Sequence, residues 1–185
     1  MNSRRNFITT STLSAAAFSV IAGQSRLAFG ASPTEGDVAI LNVALTLEHE
    51  AIAAYQIGAE SGLLKGGLLE VAVLFQGHHK THRDAQIDTI KKLGGKPVAE
   101  KPMEEYKKSS KLNVASIKTG DDVLRLAQRL ELGAVNAYIG VMPSFADRSI
   151  SIVAARLLAD ETMHYTALTQ ALSEKLPVKG LSFGA

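Results

Sequence analysis

With 185 residues and no cysteine, the chain excludes disulfide bonds, thiolate metal ligands and a cysteine nucleophile. Its net charge of +2 arises from 20 Lys and Arg against 18 Asp and Glu. Three of the arginines and none of the acidic residues lie in residues 1–31, so the remainder carries 17 basic and 18 acidic residues, a net charge of −1. Charge therefore favours neither a nucleic acid nor an anionic membrane as a partner.

Residues 1–31 resemble a twin-arginine export signal. Arg4 and Arg5 precede an apolar stretch at about 13–22, and the small residues at 28–31 suggest a cleavage site of the A-x-A type. A membrane anchor is the alternative, but about ten moderately apolar residues cannot span a bilayer core of about 30 Å. We predict a signal peptide over 1–31, a periplasmic location, and a domain over 32–185 that has no membrane span.

The rest of the chain predicts an all-α structure with four long helices, because apolar residues recur at helical spacing without strand-like alternation. The expected ranges are 37–61, 67–93, 121–143 and 147–175, with Asp37 as the first N-cap. Residues 94–119 form a long connection. Such a crossover is expected to let the third helix start at the end of the bundle where the first helix starts.

The first and third predicted helices repeat each other around a glutamate. Glu48 and Glu131 are equivalent positions, and each is followed two turns later by a tyrosine, Tyr55 or Tyr138. Both glutamates lie on apolar stripes that must face a core, where an unpaired carboxylate is costly. We expect the tyrosines to be ordinary buried residues, with hydrogen bonds to the glutamates or electron transfer as alternatives.

Two pairs of polar residues at i, i+3 spacing occupy the other two helices, His79 with His82 and Glu161 with His164. Residues three apart share one helix face, so each pair can chelate one centre. Together with the two glutamates, the pairs supply donors from four helices, enough to enclose two metal ions. The predicted metal ligands are Glu48, His79, His82, Glu131, Glu161 and His164.

His78 and His82, at i, i+4 spacing, form an alternative chelating pair. We prefer His79 because its sequence separation from Glu48 nearly equals the separation of Glu161 from Glu131. His78 is then expected to be a flanking or exposed residue.

These residues resemble the ferritin-like superfamily, in particular its small exported ferritin-like-domain proteins, over all four helices. The family pattern takes one glutamate from each of two helices and a Glu-x-x-His pair from each of the other two. Glu48, Glu131 and the Glu161/His164 pair match it, whereas His79 stands where the family has a bridging glutamate. The resemblance implies a ferritin-like four-helix bundle with a long crossover between helices 2 and 3.

The same resemblance implies a dinuclear metal centre, with iron as the expected metal and manganese, zinc or copper as alternatives. The expected function is that of a metal-dependent oxidoreductase: an oxidase, peroxidase or ferroxidase acting with dioxygen or peroxide. Three glutamates leave a net charge of +1 against two divalent ions, which makes a diferric state harder to stabilise. A metal carrier or storage protein and a stress-related envelope protein with a modified site are alternatives, and a homodimer stays open.

Overall fold

The structure, a computed structural model, describes residues 32–184, and within that range it is all-helical, without strands. Two short 3-10 turns, Val114–Ser116 and Met142–Ser144, interrupt the connections. The predicted all-α class is confirmed. The five α-helices are α1 Pro33–Glu60, α2 Gly67–Lys92, α3 Met103–Lys107, α4 Gly120–Val141 and α5 Arg148–Ala171. The predicted signal peptide lies outside the described residues.

Helix α1 begins one turn earlier than predicted. Ser32 is its N-cap, and a capping box joins Ser32 and Glu35, each side chain accepting from the backbone N–H of the other. Asp37, the predicted cap, is buried inside the helix instead. Its two carboxylate oxygens accept from the backbone N–H groups of Ala146 and Asp147, at 2.8 and 3.0 Å. Asp37 therefore holds the start of α5 against α1.

The other helix ends follow local signals. Thr119 and Asp122 form a capping box at the start of α4, close to the predicted position. Asp147 caps α5 by accepting from Ser149 N–H. Helix α5 ends at Ala171, before the predicted residue 175, because Ser173 adopts a positive φ of 57° and terminates the last turn.

The crossover runs along α1, from near the beginning of that helix to its end. Asn42 bonds Lys96 and Val98 near its beginning, and Tyr106 of α3 packs against Ala53 and Ile57 further along. Gly120 then starts α4 beside Leu63, which follows the end of α1. The expected long crossover is confirmed, but its predicted direction is wrong, because the connection runs the length of α1 before α4 begins.

Each pair of neighbouring long helices is consequently antiparallel, α1 with α2 and with α4, and α5 with α2 and with α4. Apolar clusters occupy both ends of the bundle. One contains Phe75, Leu124 and Leu168, and the other contains Leu45 and Ile90. A layer of buried acidic and imidazole side chains lies between them.

Among the described residues, one segment of α1, Thr34–Glu60, is long and apolar enough to span a membrane, with mean hydropathy 1.2. Half of its apolar 18-residue window is buried inside the bundle, and the segment carries the buried Glu48 and His49. Core helices of soluble bundles meet the same criterion, and this one packs along α2 and α4.

Candidate metal centre

All six predicted donor side chains converge in the middle of the bundle. Glu48 comes from α1, His79 and His82 from α2, Glu131 from α4, and Glu161 and His164 from α5. Each is buried, with no more than 3% of its surface exposed. The i, i+3 spacing in α2 and α5 places both members of each pair on the inner face.

The donors form two overlapping groups. The first contains Glu48, His79, His82 and Glu161, whose ligand atoms all lie within 4.8 Å of one another. His79 Nδ1 is 2.8 Å from Glu48 Oε2, and His82 Nδ1 is 3.1 Å from Glu161 Oε1. The diagonal separations between these pairs, His79 Nδ1 to Glu161 Oε1 and His82 Nδ1 to Glu48 Oε2, are both 3.7 Å.

The second group contains His79, Glu131, Glu161 and His164. His79 Nε2 lies 3.1 Å from Glu131 Oε1. His164 Nδ1 lies 3.4 Å from Glu131 Oε2 and 3.5 Å from Glu161 Oε2. His79 and Glu161 therefore belong to both groups and connect them.

Three atoms of the second group lack a hydrogen-bond partner among the described residues, although all three are buried. They are Glu131 Oε2, Glu161 Oε2 and His164 Nδ1. Buried polar atoms are nearly always paired, so their gathering at one point needs an explanation. A metal ion bound by all three atoms would satisfy them, and carboxylate and imidazole are suitable donors for first-row divalent metals.

Mutual contacts set the protonation of the cluster. Burial alone would raise the pKa of Glu48, but hydrogen bonds from His79 and His82 lower it to about 2. Burial and the neighbouring carboxylate of Glu131 raise the pKa of Glu161 to about 7. Glu131 keeps a pKa well below its ordinary value despite its burial, because of its contacts with Glu161, His79 and His164.

The histidines respond in the opposite sense. Burial would lower the pKa of His79, but the surrounding carboxylates, Glu131 first, raise it well above its ordinary value. Contacts with Glu161 and Glu48 likewise overcome burial and raise the pKa of His82 to about 10. Protons on these rings thus hold the carboxylates together, as metal ions would.

Further residues hold the glutamates in place. Tyr138 donates to Glu48 Oε1 at 2.7 Å, and Gln86 Nε2 donates to the same oxygen at 3.2 Å and to the Tyr138 hydroxyl at 2.8 Å. Tyr55 donates to Glu131 Oε1 at 2.5 Å. The sequence interpretation assigned Gln86 no role, although its place on the inner stripe of α2 was the available signal.

The structure gives His78 a partner that the sequence did not predict. This residue is half-buried, and its Nδ1 lies 2.9 Å from His164 Nε2. The pKa of His78 is lowered by its burial and by the charge of His164. His78 therefore flanks the site and orients His164 through this hydrogen bond. It belongs to neither donor group, whereas His79 belongs to both.

Two residues near the ligands had little or no expected role. Asp160 Oδ2 lies 3.1 Å from His82 Nε2, a contact that the sequence interpretation missed because Asp160 has no place in the i, i+3 pattern. His49 is buried but faces the crossover, with Nε2 3.4 Å from the Val98 carbonyl oxygen.

A cavity of about 310 Å³ reaches the donors between α1 and α4. Its inner wall includes Glu48, His79, Glu131 and Glu161. Lys111 of the crossover and Arg129 of α4 line it as well. Lys111 pairs with Glu50, another residue of the lining, and its carbonyl accepts from Arg129 at 3.2 Å, so α1, α4 and the crossover are joined at this cavity.

Comparison with known proteins agrees with this architecture. Among solved structures, the chain is similar to a conserved hypothetical protein, rv2844, from Mycobacterium tuberculosis. The identity is 22%, the TM-score is 0.67, and the match covers 80% of this chain and 98% of the other. No curated protein matches the chain. A family model described as a ferritin-like domain matches residues 36–174, and the chain therefore belongs to the ferritin-like domain family.

Proposed function

We propose that the protein is an exported metalloprotein that binds two metal ions in its bundle and reacts with dioxygen or peroxide as an oxidoreductase. The observation that carries the proposal is the gathering of buried, unpartnered donor atoms on Glu131, Glu161 and His164. The second donor group, to which these atoms belong, shares His79 and Glu161 with the first group, and this supports two metal positions rather than one. Iron remains the expected metal, with manganese, zinc or copper as alternatives.

The protein's own residues prepare the site. Tyr138 and Gln86 hold Glu48, and Tyr55 holds Glu131, so the carboxylates are oriented before a metal arrives. A redox-active metal pair would supply the electrons that reduce the oxidant. The apolar clusters at both ends of the bundle exclude bulk water, which leaves the cavity between α1 and α4 as a route for a small molecule.

The test begins with metal analysis of the purified protein. We expect about two ions per chain. Glu131→Gln, which keeps the shape of the side chain but removes its charge, should lower the metal content, whereas Glu60→Gln at the exposed end of α1 should not. Ultraviolet absorption before and after peroxide then reports on reactivity. Absence of stoichiometric metal in the wild type and after reconstitution would refute the proposal.

Turnover separates an oxidoreductase from a metal carrier or store. An enzyme consumes oxidant repeatedly when a reductant is present, whereas a storage protein reacts only in proportion to the metal supplied. We therefore expect oxidant consumption to exceed the bound metal many times over. A single reaction in proportion to the bound metal would favour storage. The site has fewer glutamates than the family pattern, and storage is compatible with that difference as well.

A further inference from the structure

The histidines of the cluster use their ring nitrogens in two different ways. His82 turns Nδ1 towards Glu161 and Nε2 outwards to Asp160. His164 turns Nδ1 towards the glutamates and Nε2 outwards to His78. A histidine that ligates one metal commonly gives its other nitrogen to such an outer partner. His82 and His164 are therefore each arranged to bind one ion through Nδ1.

His79 is arranged differently, because both of its ring nitrogens face donor groups. Nδ1 lies 2.8 Å from Glu48 Oε2, in the first group. Nε2 lies 3.1 Å from Glu131 Oε1, in the second group. The two nitrogens of an imidazole point away from each other, so they cannot both bind the same ion. The ring is placed to serve two ions at once.

We propose that His79 bridges two divalent metal ions, with Nδ1 bound to one and Nε2 to the other. This inference rests on the proposed function, because it requires a site that takes two ions. Glu161 is divided in the same manner. Its Oε1 faces His82 in the first group and its Oε2 faces His164 in the second. One imidazole and one carboxylate then connect the two positions.

The separations between donor atoms suit this assignment. Each ion receives two nitrogens and two oxygens. In the first group, the nitrogen-to-oxygen separations are 2.8 to 3.7 Å. In the second group, the contacts of Glu131 with His79 and His164 and of Glu161 with His164 are 3.1 to 3.5 Å, and all donor atoms lie within 4.8 Å of one another. Tetrahedral ligands at about 2.0–2.1 Å from a metal lie about 3.3 Å apart. Both groups therefore offer a divalent first-row metal ion four mixed nitrogen and oxygen ligands, and Cu²⁺ is suited to test the arrangement.

Charge balance points the same way. A bridging imidazolate forms when the imidazolium ring loses both of its N–H protons to solvent, and it carries one negative charge. Together with Glu48, Glu131 and Glu161, it supplies four negative charges, which balance two divalent ions. A neutral His79 bound through one nitrogen would leave a positive charge buried between the apolar ends of the bundle, which is unfavourable. His79 thus replaces the family's bridging glutamate in both charge and connectivity.

Copper loading tests the bridge without an activity assay. The metal-free protein is titrated with Cu²⁺, metal content is measured, and electron paramagnetic resonance is recorded at low temperature. An imidazolate bridge couples the two unpaired spins, so the wild type should bind two ions per chain and lose most of its signal as the second ion enters. His79→Gly should bind fewer ions and retain an uncoupled signal.

Chemical rescue distinguishes a bridge from an ordinary ligand. Added imidazole has two nitrogens available, whereas N-methylimidazole can bind only one ion. Imidazole should restore two-ion loading and spin coupling to His79→Gly, and N-methylimidazole should not. His82→Gly is the matched control. Both compounds should restore its copper content, because His82 binds one ion through Nδ1 alone.

Each result has a defined meaning. Wild-type protein that binds two copper ions with uncoupled spins overturns the bridge, and this measurement needs no variant to fold. The bridge is also overturned if N-methylimidazole rescues His79→Gly as effectively as imidazole does. Failure of the wild type to bind any stoichiometric metal overturns the proposed function itself. Two-ion binding without coupling leaves the proposed function in place.

Discussion

Tyr55 and Tyr138 each support the glutamate of the opposite helix rather than that of their own. Tyr55 of α1 bonds Glu131 of α4, and Tyr138 of α4 bonds Glu48 of α1. Since α1 and α4 are antiparallel, a tyrosine two turns beyond one glutamate lies level with the other. The sequence repeat thus becomes a reciprocal pair of hydrogen bonds across the site, and the tyrosines are more than core residues.

Removal of one tyrosine hydroxyl tests this support. Tyr138→Phe deletes a donor to Glu48 but leaves Gln86 in place, so we expect metal affinity to fall by about 10-fold or somewhat more. Competition with a chelator measures the change. Tyr106→Phe, which removes a hydroxyl bonded to Lys101 on the crossover, serves as the control and should leave affinity unaltered. Equal affinities in wild type and Tyr138→Phe would show that the hydroxyl does not tune the site.

The α2 histidines give a graded prediction. His79 faces both donor groups, whereas His78 belongs to neither and shares a hydrogen bond with His164. His79→Ala should therefore reduce the number of bound ions, and His78→Ala should keep that number while weakening affinity by about 10- to 100-fold. Metal titration separates number from affinity. If His78→Ala lost an ion and His79→Ala did not, the site would instead use the i, i+4 pair of His78 and His82.

At the level of helices, Asp37 links α1 to the start of α5. It is 2% exposed and satisfies two backbone N–H groups, those of Ala146 and Asp147. The resulting contact fixes where α5 begins, and therefore where Glu161 and His164 lie along the bundle. The local sequence predicts Asp37 as an N-cap, but in the structure Asp37 anchors α5 to α1 through tertiary hydrogen bonds.

Substitution of Asp37 should lower stability rather than alter the chemistry of the site. Asp37→Ala leaves two N–H groups without their acceptor, which we expect to reduce the free energy of unfolding by about 1–3 kcal/mol per group. Asp37→Asn keeps one oxygen and should lose less. Asp88→Ala, on the exposed face of α2, should change stability by no more than about 0.5 kcal/mol. Urea denaturation measures all three, and an unaffected Asp37→Ala would argue against the anchor.

Helix α4 also lines the cavity, and Gly133 marks a place where side-chain volume can be added. A Cβ built at Gly133 meets nothing within 4 Å. Gly133→Ala should therefore raise the free energy of unfolding by up to about 1 kcal/mol, because alanine is the better helix former. Gly133→Leu should keep the metal content but slow reaction with peroxide by filling the route. Stopped-flow absorption measures the rate, and a leucine variant that reacts as fast as the alanine variant would exclude this route.

For the whole molecule, the crossover determines how the bundle is enclosed on the α1 side. The crossover covers the α1 side and places Lys111 at the cavity, where it pairs with Glu50. A domain that could enclose a metal ion in this way would suit an export route that carries folded proteins, and the resemblance of residues 1–31 implies such a route. Periplasmic location is thus part of the proposed function. The homodimer stays a prediction. Analytical ultracentrifugation would test it by measuring the mass of the protein in solution.

Export is tested by replacing Arg4 and Arg5 together with lysine, which keeps the charge but removes the twin-arginine pair. We expect the precursor to accumulate in the cytoplasm with its N-terminal segment uncleaved. Fractionation and mass measurement of the protein report the outcome. Normal appearance of the processed protein in the periplasm would show that a different pathway exports it.

The sequence by itself determined the all-α class, the long crossover and the six candidate donors, because helical periodicity and i, i+3 spacing are local properties. The tertiary structure alone decided the direction of α4, the anchor at Asp37 and the partners of each tyrosine. It also decided that His78 orients His164 and that His79 faces both donor groups. These features depend on which helices are neighbours and on their relative register, and packing between segments far apart in the chain sets both.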